Sequence, residues 1–144
     1  MLIIKMLRYL KFSPVLVMLL YPASVFAEVS IIVHPSNNST FTEKDVKKIF
    51  LAKKSSFPGG GKVEAVNLQK GNPTRDEFNE KLLGKNEGQI RAYWAKLVFS
   101  GAALPPKELE SSNEILEQVT KNPNAIGYVN SSEVNDSVKI VYKK

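Results

Sequence analysis

The sequence contains no cysteine and only one histidine among its 144 residues. Without cysteine, the chain forms no disulfide and supplies no thiolate as a metal ligand or nucleophile. His34 is a single imidazole, too few for a zinc site of ordinary composition, and a lone histidine is more often structural than catalytic. The adjacent carboxylates Asp76 and Glu77 would point to different sides of a helix. These shortages argue against an enzyme, so we expect no catalytic residue, no metal and no cofactor.

A hydrophobic run long enough to cross a membrane is also lacking. Residues 1–27 carry Lys5, Arg8 and Lys11 ahead of an apolar stretch that ends in Val25-Phe26-Ala27. A cationic start, an apolar segment and small residues at the cleavage positions are typical of a signal peptide, so we expect cleavage after Ala27. The apolar stretch contains two prolines and is short of the roughly 20 residues that span a bilayer. We therefore predict a periplasmic or secreted protein with no stable membrane insertion after cleavage.

Strong charge of either sign is lacking in the mature chain. Removing residues 1–27 lowers the formal net charge from +6 to +3 and leaves one domain, residues 28–144. This length can bury a core without covalent cross-links. A charge of +3 is too weak to indicate a nucleic-acid-binding surface, but it is compatible with a small anionic ligand.

The chain alternates between strand and helix patterns. Short β-branched or alternating runs at 29–35, 62–68, 125–129 and 138–143 predict strands. Side chains that accept from backbone N–H groups precede the helical patterns, so we expect helix starts at Thr42 (with Asp45), Asn72, Asn86 and Ser111 (with Glu114). Gly84 should end the second helix, and the stretch 102–112 reads as an irregular connector. This order predicts an α/β fold.

Two residue groups have a structural and a functional interpretation. Tyr93 and Trp94 are compatible with a sugar-binding platform, but their spacing with Ile90, Leu97 and Val98 favours the core face of a helix. Similarly, Lys44, Lys47 and Lys48 fit the solvated face of the first helix better than a cationic binding patch.

The stretch LQKGNPTRDEF, residues 68–78, is the main candidate site. It predicts a turn that opens a helix, with Asn72 as the cap and Pro73 in the first helical position. A helix start presents unpaired N–H groups and the positive end of the helix dipole, which favour an anion. An ordinary capped surface turn would show the same pattern. The candidate anion-binding residues are Lys70, Gly71, Asn72, Thr74 and Arg75.

Three stretches together resemble the periplasmic phosphate-binding proteins of ABC transporters, over residues 30 to 144. Ile49-Phe50-Leu51-Ala52-Lys53 is similar to a helix end in that family, with alanine for the usual glycine. Ala125-Ile126-Gly127-Tyr128 resembles a strand near the end of those proteins. The run AYWAKLVFSGAALPPKE, residues 92–108, is similar to short phosphate-transporter-like proteins. The resemblance implies a single lobe of a type II periplasmic-binding-protein fold, with a mixed sheet flanked by helices.

The family's anion-binding segment, Arg-x-Asp-x-Ser-Gly-Thr, maps onto residues 68–74. Thr74 matches the threonine, whereas Leu68 replaces the arginine and Lys70 replaces the aspartate. Asn72 and Pro73 replace the serine and the glycine, so one N–H donor and a bidentate clamp are lost. The resemblance implies weak binding of phosphate or another small oxyanion. The alternative is an interaction module that keeps the lobe and pairs with an envelope protein or with its own copy.

Overall fold

The computed structural model describes residues 27–144, so residues 1–26 of the expected signal peptide lie outside it. Helices and strands alternate along the chain, which confirms the α/β prediction. The elements are β1 (Val29–Val33), α1 (Glu43–Phe50), β2 (Glu64–Leu68), α2 (Pro73–Phe78) with a π-helical continuation (Asn79–Leu83), α3 (Glu87–Phe99), β3 (Lys107–Leu109), α4 (Ser112–Lys121), β4 (Ala125–Asn130), a 3₁₀ turn (Ser131–Glu133) and β5 (Lys139–Lys143).

The strands form one mixed sheet in the order β3-β2-β4-β1-β5. Strand β2 runs parallel to β3 and β4, whereas β1 is antiparallel to its neighbours β4 and β5. All of β1 is buried, and so are the first five residues of β4. Such continuously buried, mostly apolar strands are expected where both faces of a sheet are covered. The predicted mixed sheet flanked by helices is therefore confirmed.

Strand β4 shows how the two faces are filled. A Cβ placed on Gly127 would lie 2.8 Å from Cγ2 of Ile115, so α4 packs closely on this face. The next side chain, Tyr128, points to the opposite face and stacks on Phe78 of α2, with ring centroids 3.9 Å apart. Phe50 of α1 meets Phe78 edge-on at 4.7 Å. The core thus consists of two apolar layers, one on each side of the sheet.

The predicted helix boundaries follow local hydrogen bonds. Thr42 and Asn86 each form a reciprocal capping box, and Asn72 accepts from the backbone of α2. Gly84 ends the π-helical continuation with φ of 63°. Three predicted starts and one predicted end are confirmed, because a short polar side chain and its neighbouring backbone decide them.

The fourth helix starts where expected, but its capping box is incomplete. Ser111 Oγ accepts from the N–H of Glu114 at 3.3 Å. The Glu114 carboxylate accepts from the N–H of Glu110 at 2.7 Å rather than from Ser111. The first half of the predicted box is confirmed and the second is wrong.

Two further predictions were wrong. The expected irregular connector contains the short strand β3, which pairs with β2 in the register Val66–Lys107 to Leu68–Leu109. Three residues are too few for an alternating pattern to stand out. Val98 was expected in the core beside Trp94, yet 46% of Val98 is exposed, and the neighbouring Phe99 is exposed as well.

Candidate functional site

The candidate stretch lies at the carboxyl ends of the parallel strands. Strand β2 ends at Leu68, and the loop of residues 69–72 leads directly into α2. The N–H of Gln69 donates to the carbonyl oxygen of Leu109 at 2.9 Å, so β2 and β3 end side by side. In open α/β sheets, ligands bind outside the carboxyl ends of the strands. The topology therefore places the loop where a ligand site is expected.

The loop backbone is open at Gly71. This residue has a φ of 94°, and a Cβ added to it would meet no atom within 4 Å. Only glycine adopts this conformation without strain, and the space beside it lets a ligand approach the main chain closely. Lys70 and Gly71 are exposed, whereas Asn72 and Thr74 are half-buried. These four residues lie together on the loop and the helix start, as predicted.

The first N–H groups of α2 already have acceptors. Asn72 Oδ1 accepts from the N–H of Thr74 at 2.9 Å. The carbonyl oxygen of Asn72 accepts from Arg75 at 3.0 Å and from Asp76 at 3.3 Å. An anion at this helix start must therefore displace the Asn72 side chain before it reaches the N–H of Thr74. This geometry is closer to a self-capped turn than to an open anion cradle.

Arg75 points inward and is occupied by protein groups. Its side chain is 5% exposed and forms a fork with Glu87, with Nη2–Oε1 at 2.7 Å and Nε–Oε2 at 3.1 Å. Nη1 donates to Glu108 Oε1 at 2.7 Å and to the carbonyl oxygen of Leu68 at 2.9 Å. Asn79 adds a further bond to Glu87 at 3.1 Å. In this arrangement the guanidinium is not presented to solvent at the loop, and its charge is balanced by two carboxylates.

Burial and pairing act in opposite directions on Arg75. Burial alone would lower the pKa of the guanidinium, but the hydrogen bonds to Glu108 and Glu87 outweigh it and the net pKa is raised. The side chain stays charged and fixes α2, α3 and β3 to the end of β2. We name the set Arg75, Asn79, Glu87 and Glu108 the guanidinium cluster.

A buried tyrosine lies beside the guanidinium cluster. Tyr128 donates to Oδ1 of Asn67 and accepts from the N–H of Leu68 at 3.3 Å. Burial raises the pKa of Tyr128 well above its ordinary value, so its hydroxyl stays protonated. It bridges β4 to β2 beyond Ala65–Ile126, where the direct pairing of these strands ends. Tyr128 thereby fixes the end of β2, from which the loop of residues 69–72 begins.

The sequence already contained a sign that Arg75 faces inward. Arg75, Phe78 and Leu82 are spaced three and four residues apart, which is the spacing of one helix face. Phe78 and Leu82 are both buried. An arginine in register with two core residues needs buried partners, and Glu87 and Glu108 supply them.

Sequence reasoning missed the exposed cation beside the loop, Arg91. Together with Lys70, Glu87 and Gly88 it lines a shallow depression of about 210 Å³. Glu87 is engaged by Arg75, so Lys70 and Arg91 are the side chains there that offer positive charge to solvent. The signal was the i,i+4 spacing of Glu87 and Arg91 on α3, which places both on one face of that helix.

Within residues 27–144, no three histidine, aspartate or glutamate side chains come together as metal ligands. His34 lies just beyond β1, where its Nδ1 and Ser36 Oγ form a hydrogen bond of 2.7 Å. No helix in this part of the chain is both long and apolar enough to cross a membrane.

No protein-family model matches the sequence, and no curated protein matches it. Solved structures do match the fold, each over 80% of this chain. An ABC-type phosphate transport receptor from Vibrio cholerae matches with a TM-score of 0.64 and 20% identity, over 46% of its own length. A putative phosphate ABC transporter substrate-binding protein with bound phosphate, from Clostridium perfringens, matches with a TM-score of 0.63 and 26% identity, over 45% of its length. PstS from Borrelia burgdorferi matches with a TM-score of 0.60 and 16% identity, over 47%.

The chain folds like one lobe of a phosphate-binding protein. It spans less than half the length of each of these structures. The predicted resemblance and the single-lobe α/β fold are confirmed. The first two of these neighbours are named as a transport receptor and a substrate-binding protein.

Proposed function

We propose that the protein is an exported lobe that binds phosphate or a similar small oxyanion at the loop of residues 69–72. The observation that carries this proposal is the structural match to phosphate-binding proteins, one of them with bound phosphate, over 80% of the chain. The position of the loop at the carboxyl ends of β2 and β3 supports it. The signal peptide expected at residues 1–27 supports export to the periplasm.

Each loop residue has a distinct role in this proposal. Lys70 supplies the positive charge, and Gly71 lets the anion reach the backbone. Asn72 and Thr74 offer an amide and a hydroxyl as hydrogen-bond donors. Arg75 acts indirectly, because its hydrogen bond to the carbonyl oxygen of Leu68 fixes the end of β2, where the loop begins.

Weak binding is expected from this geometry. The loop is exposed, so water competes for every hydrogen bond, and Asn72 must give up its bond to Thr74. The bidentate arginine clamp is absent, because Leu68 occupies its position in the family segment. We expect a dissociation constant of about 1 mM, which corresponds to roughly −4 kcal/mol of binding free energy.

Thermal unfolding with added anions tests the proposal. At 10 mM phosphate, a 1 mM site stabilises the protein by about 1.4 kcal/mol, which raises the melting temperature by about 5 °C. The reference condition is sodium chloride at the same ionic strength. The experiment uses the secreted form of the protein, and N-terminal sequencing should show that it begins at Glu28. Lys70→Ala should remove most of the rise, whereas Lys47→Ala, an exposed lysine on α1, should keep it. An equal rise with chloride, or an unchanged rise in Lys70→Ala, would reject the site.

A second candidate function is that of an interaction module for an envelope protein or a second copy. The observation in its favour is a set of apolar side chains on the surface at the end of α3. Phe99 is 98% exposed and Leu104 is 78% exposed. Exposed apolar residues that form a contiguous patch mark interaction sites in soluble proteins. Light scattering would separate a stable self-pair from a monomer.

A further inference from the structure

The shallow depression beside the loop of residues 69–72 is lined by two cations from different elements. Lys70 comes from that loop and Arg91 comes from α3, and both residues are exposed. Glu87 and Gly88, at the start of α3, line the same depression. In the described part of the chain, neither Lys70 nor Arg91 forms an ion pair with a carboxylate. The two positive charges therefore border one small volume without a protein partner.

The carboxylate that would ordinarily pair with Arg91 is already occupied. Glu87 is the only carboxylate on α3 and lies four residues before Arg91, a spacing at which a glutamate and an arginine usually interact. Both oxygens of Glu87 instead accept from Arg75, and Oε2 also accepts from Asn79. Because Arg75 balances the charge of Glu87, that carboxylate does not cancel the charge of Arg91. The guanidinium cluster thus leaves the depression with an excess of positive charge.

The charge and the size of the depression select a class of ligand. Two unpaired cations favour a ligand with two negative charges, and one contact between unit charges at about 4 Å in water changes affinity about fivefold. The volume of about 210 Å³ corresponds to about seven water molecules of the liquid. A phosphate group has five non-hydrogen atoms, so it fits with space beside it. Because the depression is open, a substituent on one phosphate oxygen can extend into solvent.

We propose that Lys70 and Arg91 together bind a dianionic phosphate group, which is either free phosphate or the end of a phosphate monoester. This inference rests on the proposed oxyanion site and adds to it a ligand-binding residue on α3 and a class of ligand. A phosphate diester carries a single charge, so it should bind about fivefold more weakly than a monoester.

The NMR signals of the arginine side chains test the contact with Arg91. After Ala27 the sequence contains two arginines, Arg75 and Arg91, so the nitrogen-15-labelled secreted protein should give two Nε–Hε signals. At about pH 7 a phosphate monoester is mostly dianionic, because its second pKa is about 6. Titration with inorganic phosphate or with glycerol 3-phosphate should shift the Arg91 signal and the backbone N–H of Gly71 with one dissociation constant. The Arg75 signal should shift far less, because Glu87 holds that guanidinium.

Variants of Arg91 measure its contribution to binding. Arg91→Gln removes the charge from an exposed side chain, so it preserves the fold, and it should raise the dissociation constants of both ligands about fivefold. Arg91→Lys keeps the charge and should bind nearly as well as the wild type. The matched control is Lys96→Gln, which removes an exposed cation of α3 that does not line the depression. This control should bind like the wild type.

The outcomes separate this inference from the proposed function. If Lys70→Ala weakens phosphate binding and Arg91→Gln does not, the oxyanion site stands and the role of Arg91 is overturned. If phosphate shifts neither the N–H of Gly71 nor the signal of Arg91, both proposals are rejected. Equal binding of dimethyl phosphate and glycerol 3-phosphate would overturn the preference for a dianion. No shift with glycerol 3-phosphate at concentrations where free phosphate saturates would overturn the monoester as a ligand.

Discussion

Replacing Arg75 with methionine tests whether the guanidinium cluster stabilises the fold. Methionine keeps most of the buried stem but removes five N–H donors and the charge. Glu108 and the carbonyl oxygen of Leu68 then lose this donor, and Glu87 keeps only its bond from Asn79. Breaking a buried ion pair by removing one partner costs about 3–5 kcal/mol. The side chains of Glu87 and Glu108 remain 24% and 49% exposed, so water can partly hydrate them and the lower end applies.

We therefore expect Arg75→Met to lower the free energy of unfolding by about 3 kcal/mol, or the melting temperature by about 12 °C in a domain of this size. Urea unfolding followed by Trp94 fluorescence measures the change, because Trp94 is the single tryptophan and is buried. Arg75→Lys should recover part of the loss, since an ammonium cannot reproduce the fork to Glu87.

Two controls separate this account from a general effect of removing charge. Lys121→Ala breaks the exposed Lys121–Glu117 pair, with side chains 70% and 62% exposed, and should leave stability unchanged within error. Adding Glu87→Gln to Arg75→Met removes the orphaned carboxylate, so the double variant should be less destabilised than the sum of the single ones. A loss below about 1 kcal/mol for Arg75→Met would refute the reasoning, because the buried pairing would then contribute little.

Two further predictions concern the core and the first helix. Gly127→Ala would place a Cβ 2.8 Å from Ile115 Cγ2 and 3.1 Å from Val66 Cγ2. We therefore expect the free energy of unfolding to fall by about 1–3 kcal/mol, measured by thermal denaturation. An unchanged melting temperature would contradict the close packing of α4 on β4. The hydrogen bonds from the backbone N–H and the hydroxyl of Thr42 hold the pKa of Asp45 below its ordinary value. The ionised Asp45 therefore stabilises the fold above about pH 4, and this contribution is lost as the pH falls through the lowered pKa. Asp45→Asn should therefore flatten the dependence of stability on pH between about 5 and 2, and an unchanged slope would show that this carboxylate does not contribute.

The features predicted correctly from the sequence depend on short-range interactions. Thr42, Asn72 and Asn86 cap helices because their side chains reach backbone groups two or three residues away. The buried strands β1 and β4 consist mostly of apolar residues, which the residue types alone indicate. These signals need no knowledge of the tertiary structure.

The features predicted less well depend on distant partners. Arg75 was expected at the loop surface, but its partners Glu87 and Glu108 lie 12 and 33 residues away along the chain. Glu108 becomes its neighbour only when β3 pairs with β2. The strand β3 forms because it pairs with β2, and the residue types of its three positions do not by themselves indicate a strand. The turn and the helix start at residues 70–74 were predicted, whereas the occupied N–H of Thr74 depends on the conformation of the Asn72 side chain.

The guanidinium cluster also closes a loop of the chain. Glu87 immediately precedes the segment 88–107, Glu108 immediately follows it, and one guanidinium binds both. A disulfide between such positions would restrict the unfolded chain by tying the two ends of that segment together. In a chain without cysteine, Arg75 makes this connection through hydrogen bonds that form only in the folded state. Thiol reductants leave such a cross-link intact, so its persistence does not depend on the redox state of the compartment in which the protein resides.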